Sequence, residues 1–199
     1  MTSHVGVIVT DASPLITLAA AGALDLLSLP GLPVMIPDMV YLEVTRTITK
    51  LGAGPVIEWA RRNRPLVRVE PTEVYAEYQA LVTLNPATRY RDRGEQAAIE
   101  ILTAAVASDP ELSAVLLFED SDISRRKFAA VLPERVMPMT TGGYLQALEA
   151  AGRIQSADQV LDQAIAKGRD VSKQRDETAP PGMTAMLRER FADESKSRR

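Results

Sequence analysis

Cysteine is absent from the 199 residues, and histidine occurs once, as His4. The first absence excludes thiol nucleophiles, cysteine-ligated zinc, iron–sulfur clusters and disulfides, and points to a reducing compartment. The second excludes multi-histidine metal centres and histidine acid–base pairs, and leaves His4 as the sole imidazole for any Ser–His–Asp triad. An excess of basic charge is missing too: 23 Lys+Arg stand against 26 Asp+Glu, a net charge of −3. That balance argues against a broad basic face holding nucleic acid and leaves room for a local patch. Long apolar runs are also absent. Residues 5–27 are the most apolar stretch, but Asp11, Pro14 and Asp25 interrupt it before the roughly 20 apolar residues of a bilayer span. Met1-Thr2-Ser3-His4 lacks the positive start of a secretory signal. A cytoplasmic protein without a membrane segment is the expectation, with carboxylates carrying its chemistry.

What is present is ordinary globular material: 46% apolar and 25% charged residues. A chain of this length buries about 70% of its unfolded surface without staples, so one domain is expected. Val5-Gly6-Val7-Ile8-Val9 reads as a strand buried on both faces, followed by Ser13 as helix N-cap and Pro14 at the first helical position. That helix breaks near Gly22. Val34-Met35-Ile36-Pro37 is a second strand, and Pro37-Asp38 opens a helix carrying Met39, Val40, Glu43 and Val44. Two helical stretches flank a third strand, Leu66-Val67-Arg68-Val69. Residues 92–107 are the strongest helix signal, with Ala98, Ile99, Leu102, Ala105 and Val106 on one stripe. Val115-Leu116-Leu117-Phe118 is a fourth strand, a helix through Phe128 follows, and a short strand lies around Val136-Met137. Helices resume over residues 143–151 and 157–167.

Short strands alternating with helices, with no hairpin signal, describe an α/β domain with a parallel sheet over residues 1–168. Residues 169–199 read as a polar linker ending in Ala179-Pro180-Pro181-Gly182, then a short amphipathic arm marked by Met183, Met186, Leu187 and Phe191, with a frayed tail from residue 193. The arm either folds back on its own domain or docks on a partner.

In an open parallel sheet the functional crevice lies at the carboxyl ends of the strands. Asp11 and Asp120 end strands there. Ser13-Pro14 supplies the cap, which leaves Asp11 without an evident structural duty, whereas Asp120, Ser121 and Asp122 can each cap the helix that follows. Glu43 lies three and four residues after Val40 and Met39, on the face those residues bury. Glu95 precedes Ala98, Ile99 and Leu102 at helical spacing, again facing the core. Its competing reading is a capping box with Asp92. Glu100 is rotated off that stripe. Inward carboxylates sharing one cleft need a countercharge. Arg46, Arg93 and the Arg125-Arg126-Lys127 run are the nearby cations, and a hard divalent ion held by oxygens, magnesium or manganese, is the better match.

These residues resemble a family. Val-Ile-Val-Thr-Asp-Ala-Ser-Pro-Leu-Ile at residues 7–16 resembles the opening of PIN-domain nucleases, and Ile36-Pro37 through Glu43-Val44 resembles their second acidic motif. Asp92-Arg93-Gly94-Glu95 with Ala97-Ala98-Ile99 is similar to the third. Leu117-Phe118-Glu119-Asp120 followed by Arg125-Arg126 is similar to the fourth. Thr140-Thr141-Gly142-Gly143-Tyr144-Leu145 and residues 150–154 resemble the closing segment of the bacterial branch related to VapC-type toxins. The resemblance runs over residues 5–168 in the same order. It implies a three-layer α/β/α sandwich with a central, mostly parallel sheet. Asp11, Glu43, Glu95 and Asp120 would gather Mg2+ or Mn2+, with Asp122 as an auxiliary ligand. Two features depart from the pattern: Glu119 stands where this branch often has a second aspartate, and residues after 168 exceed the usual length.

The expected activity is metal-dependent hydrolysis of RNA phosphodiester bonds, leaving 5′-phosphate and 3′-hydroxyl ends. Ser13 and Thr141 are candidates for hydrogen bonds to substrate phosphate or to carboxylates that support the metal ligands, and Arg125 is a candidate phosphate clamp. Against this, Ser13 reads as a helix cap and Arg125 as part of a solvated face. Expected partners are RNA, a restraining antitoxin protein and a second copy of the chain. The alternative is a PIN-like scaffold acting through protein interaction with an idle metal site. A phosphate-transfer receiver domain is excluded, since Met137-Pro138-Met139-Thr140 lacks the late-strand lysine such a domain needs.

Overall fold

The computed structural model describes residues 4–89, 92–119 and 131–197. Five strands form one sheet: β1 (His4–Thr10), β2 (Val34–Pro37), β3 (Val67–Glu70), β4 (Leu112–Phe118) and β5 (Val136–Thr140). Their order is β3-β2-β1-β4-β5, every neighbouring pair parallel. Each strand placed from sequence is present, because short β-branched and aliphatic runs hidden on both faces have few other places to go.

Alternation along the strands divides the interior. Ile8, Val34, Ile36, Val115 and Leu117 point to one face. There they meet α1 (Ala12–Ala20), α3 (Asp38–Thr45), α4 (Ala53–Arg62), α7 (Thr141–Ala150), α8 (Ala157–Ala166) and α9 (Met183–Ser197). Val7, Val9, Ala114, Leu116 and Phe118 point to the other, under α6 (Arg93–Ser108). A short α2 (Asp25–Ser28) follows α1, and α5 (Glu73–Leu84) packs on α6 and α3. The result is the expected α/β/α sandwich, with an all-parallel sheet.

The start of α1 differs from expectation. Asp11, not Ser13, is the N-cap, with ψ near 175°, and Ser13 and Pro14 lie within the first turn. Proline is tolerated there because first-turn N–H groups lack intrahelical acceptors anyway. The cap position therefore falls on the residue that ends β1.

The end of the chain folds back on its own domain. Met183, Leu187 and Phe191 are buried in the larger core with α7 and α8. The Arg153 guanidinium lies 3.8 Å over the Phe191 ring, and Arg190 donates to the Pro30 and Gly31 carbonyls. Ahead of α9, a 3₁₀ turn (Ser172–Asp176) lies on the first turn of α7, where the Gln174 side-chain oxygen accepts from the Gly142 N–H at 3.0 Å. Among the described residues no helix is long and apolar enough to cross a membrane.

Candidate active site

The chain reverses its direction of sheet growth between β1 and β4: β2 and β3 extend to one side, β5 to the other. The carboxyl ends of β1 and β4 therefore face a topological switch point, where open α/β sheets form their crevice. Asp11 follows β1 directly, and its backbone N–H donates to Leu117 O at 2.9 Å, carrying the β1–β4 ladder one residue past the strand. Although Asp11 caps α1 by position, its side chain makes no cap hydrogen bond. It turns toward α6 instead.

Gly94 shows where that carboxylate meets its neighbour. A Cβ built on Gly94 would lie 3.5 Å from Glu43 Oε2 and 3.7 Å from Asp11 Oδ1, with Val40 Cγ2 at 3.3 Å. Two carboxylate oxygens, one from the end of β1 and one from the middle of α3, thus converge on the same buried backbone position. Glycine in the first turn of a helix costs conformational entropy. Here it removes the side chain that would press on both acids. Glu95 is the next residue on that turn and is half-buried, as are Asp11 and Glu43.

The capping-box reading of Glu95 lacks its other half. Asp92 is the N-cap of α6 in a left-handed conformation, φ 61°, and its side chain makes no cap hydrogen bond. Glu100 is turned away from this cleft and caps α5, accepting from the Glu73 and Val74 N–H groups at 2.8 and 3.3 Å. Arg93 leans over the Tyr78 ring at 5.7 Å.

Asp120, Asp122 and Arg125 lie outside the described residues. Thr141 is engaged internally: its hydroxyl donates to Glu119 Oε1. Ser13 offers its carbonyl to the Arg169 guanidinium at 3.5 Å. His4 opens β1 at the end opposite Asp11, about 20 Å away by strand geometry. Sequence reasoning overlooked Gly94 as a space-maker and Arg169 altogether. A glycine in the first helical turn beside an acid was the signal for the first; a linker arginine 50 residues from its acid gave none for the second.

The donor set here is oxygen, the class that hard divalent cations prefer. Two carboxylates meeting over a glycine cradle fit such an ion, although among the described residues no group of three or more ligating side chains is assembled. The remaining positions around an ion would fall to water or to further oxygen ligands.

No curated protein matches the chain. A family model described as a PIN domain matches residues 7–179, a span that takes in the carboxyl ends of all five strands and Asp11, Glu43, Gly94 and Glu95. PIN domains are generally nucleases, and they typically use divalent metals. With that match over most of its length, and with acids at the switch point of a parallel α/β/α sheet, the chain belongs to the PIN-domain family.

Proposed function

We propose that the protein is a Mg2+- or Mn2+-dependent endoribonuclease. The observation that carries the reading is the convergence of the Asp11 and Glu43 carboxylates over Gly94. Asp11 and Glu43 would hold the ion, Glu95 would ligate it or orient water beside it, and Asp120, with Asp122 as an auxiliary, would complete the acidic set. A bound magnesium or manganese ion supplies Lewis acidity toward the phosphodiester and toward water. Gly94 keeps the approach open. Ser13 and Arg125 are the proposed contacts to substrate phosphate; the Thr141 hydroxyl, buried and donating to Glu119, holds that carboxylate instead. The site lacks imidazole, so proton transfer near it falls to carboxylates and solvent.

The toxin role is part of the proposal. It rests on the likeness of the Thr140-Thr141-Gly142-Gly143 segment and residues 150–154 to the VapC-type branch, and it names an antitoxin protein as restraining partner. The scaffold reading drew on the apolar stripe of the C-terminal arm, and that stripe is covered by the protein's own core.

Cleavage of RNA oligonucleotides, with the ends sequenced, tests the activity. Mn2+ should yield 5′-phosphate and 3′-hydroxyl products, chelator should abolish them, and Asp11→Asn and Glu43→Gln should reduce the rate at least a hundredfold, on the order of the loss seen when a key electrostatic group is removed. Thermal unfolding followed by Trp59, the single tryptophan, gives an independent reading. Metal at about 100 times its Kd should add roughly 2.7 kcal/mol to the wild type and little to Asp11→Asn. Equal melting of both proteins with and without metal, and no RNA cleavage, would sink the proposal.

A further inference from the structure

Glu119 is the first residue beyond β4, and its side chain is only 6% exposed. Moving a carboxylate out of water costs several kcal/mol unless its oxygens are satisfied, and here they are. Oε2 accepts from the Thr17 hydroxyl at 2.9 Å and from Arg169 Nη2 at 3.1 Å, and Oε1 accepts from the Thr141 hydroxyl. Arg169, just past Gly168, is itself largely covered; its Nε donates to Thr17 Oγ1 at 3.2 Å and its Nη2 reaches Ser13 O at 3.5 Å. One ion pair therefore joins the end of β4, the first two turns of α1, the start of α7 and the segment after α8.

Two of the groups it grips, Ser13 and Thr17, lie on the helix that Asp11 caps. The same helix start is tied to β4 a second time, through the Asp11 N–H and Leu117 O. The lean of α1's first turn, and with it the direction of the Asp11 carboxylate, depends on both ties. A misplacement of about 1 Å in such a group can cost a hundredfold in rate. Resting on the nuclease reading above, we propose that Glu119 and Arg169 are positioning residues for the acidic site. Their pair sets the first turn of α1 so that Asp11 meets Glu43, and Glu119 acts within the pair rather than as a metal ligand. An arginine in the segment between α8 and α9 is thereby made part of the machinery.

The test uses the full chain in four forms: wild type, Arg169→Gln, Glu119→Gln and the double variant. Mn2+ affinity by titration calorimetry, kcat and KM on an RNA oligonucleotide at saturating Mn2+, and metal-free melting are measured for each. Arg169→Gln strands a buried carboxylate and should weaken Mn2+ binding about tenfold, the effect typical of losing a group that orients a ligand. It should lower kcat with little change in KM. The double variant restores a neutral hydrogen-bonded pair and should recover Mn2+ affinity to near wild type.

Wild-type affinity and kcat in Arg169→Gln would overturn the positioning role while leaving the nuclease reading intact. A rise in KM alone would overturn it by making Arg169 an RNA contact. Loss of Mn2+ binding in both Glu119→Gln and the double variant would overturn it by making Glu119 a ligand. Should Arg169→Gln fail to fold, the double variant decides: recovery supports the pair, and an affinity no better than that of Glu119→Gln overturns it. A wild type that neither binds Mn2+ nor cuts RNA removes the underlying reading itself.

Discussion

A methyl group at position 94 would press 3.3 Å from Val40 Cγ2 and close to two carboxylate oxygens. Gly94→Ala should therefore separate stability from metal binding. Alanine gains up to about 1 kcal/mol in helix propensity, which offsets the tight contact with Val40, so melting should shift little. Mn2+ affinity should fall about tenfold, because the methyl both crowds and dries the two acids; calorimetric titration reads it. Tyr144 is a second residue with a clear physical signature. It is fully buried, its hydroxyl donates to Leu26 O at 2.7 Å, and burial pushes its phenol well above the ordinary range. The unfolded chain releases that proton above about pH 10 and the folded protein keeps it. Its contribution is thus present below about pH 10 and is lost as pH rises beyond it. Tyr144→Phe should cost about 1 kcal/mol at neutral pH through the lost hydrogen bond. Above pH 10 its stability should fall less steeply than that of the wild type, by about 1.4 kcal/mol per pH unit, as denaturant titrations across pH will show.

At the scale of elements, α7 begins where several segments need the same space. Its N-cap Thr140 accepts from the Gly143 N–H at 3.1 Å, and Gly142 gives its N–H to Gln174. A Cβ on Gly142 would fall 1.8 Å from Gln174 O, a backbone atom that cannot step aside without moving the whole 3₁₀ turn. Gly142→Ala should destabilise the protein by about 3 kcal/mol, the upper range for overpacking, and loosen residues 172–176 in hydrogen exchange. The glycine pair that resembles a family motif thus has a packing reason: it is the seat of the segment that carries the chain from α8 to α9. At α6 the balance differs. Asp92 spends a left-handed conformation without capping through its side chain, and this first turn is shaped around Gly94 and the acids.

For the whole molecule, the C-terminal helix belongs to the same core as the sheet. Leu187 is 1% exposed among residues of α7 and the first strands' larger core. Leu187→Ala should cost 2–5 kcal/mol, roughly what a fully buried leucine loses on truncation. It should lower the single melting transition seen by Trp59 rather than split off an early one. A separate early transition would mean that the helix is an independent appendage. The docking also covers the apolar stripe of the arm with the protein's own core.

The strands were legible in the amino acids because a parallel sheet hidden on both faces demands short apolar runs, and Val7-Ile8-Val9 and Val115-Leu116-Leu117 have no other use. The inward direction of Glu43 was legible as well, since helical spacing from Met39 and Val40 sets it. Their meeting point was not: Asp11 and Glu43 converge over Gly94 because α3 packs on α6, and helix packing joins residues that no local period relates. The cap of α1 passed from Ser13 to Asp11 for a similar reason, as the strand's last ladder bond decides where the helix may begin. The direction of the C-terminal arm and the pairing of Glu119 with Arg169 were decided by tertiary structure alone. Sequence determines which residues must be hidden; only the folded chain determines what each of them is hidden against.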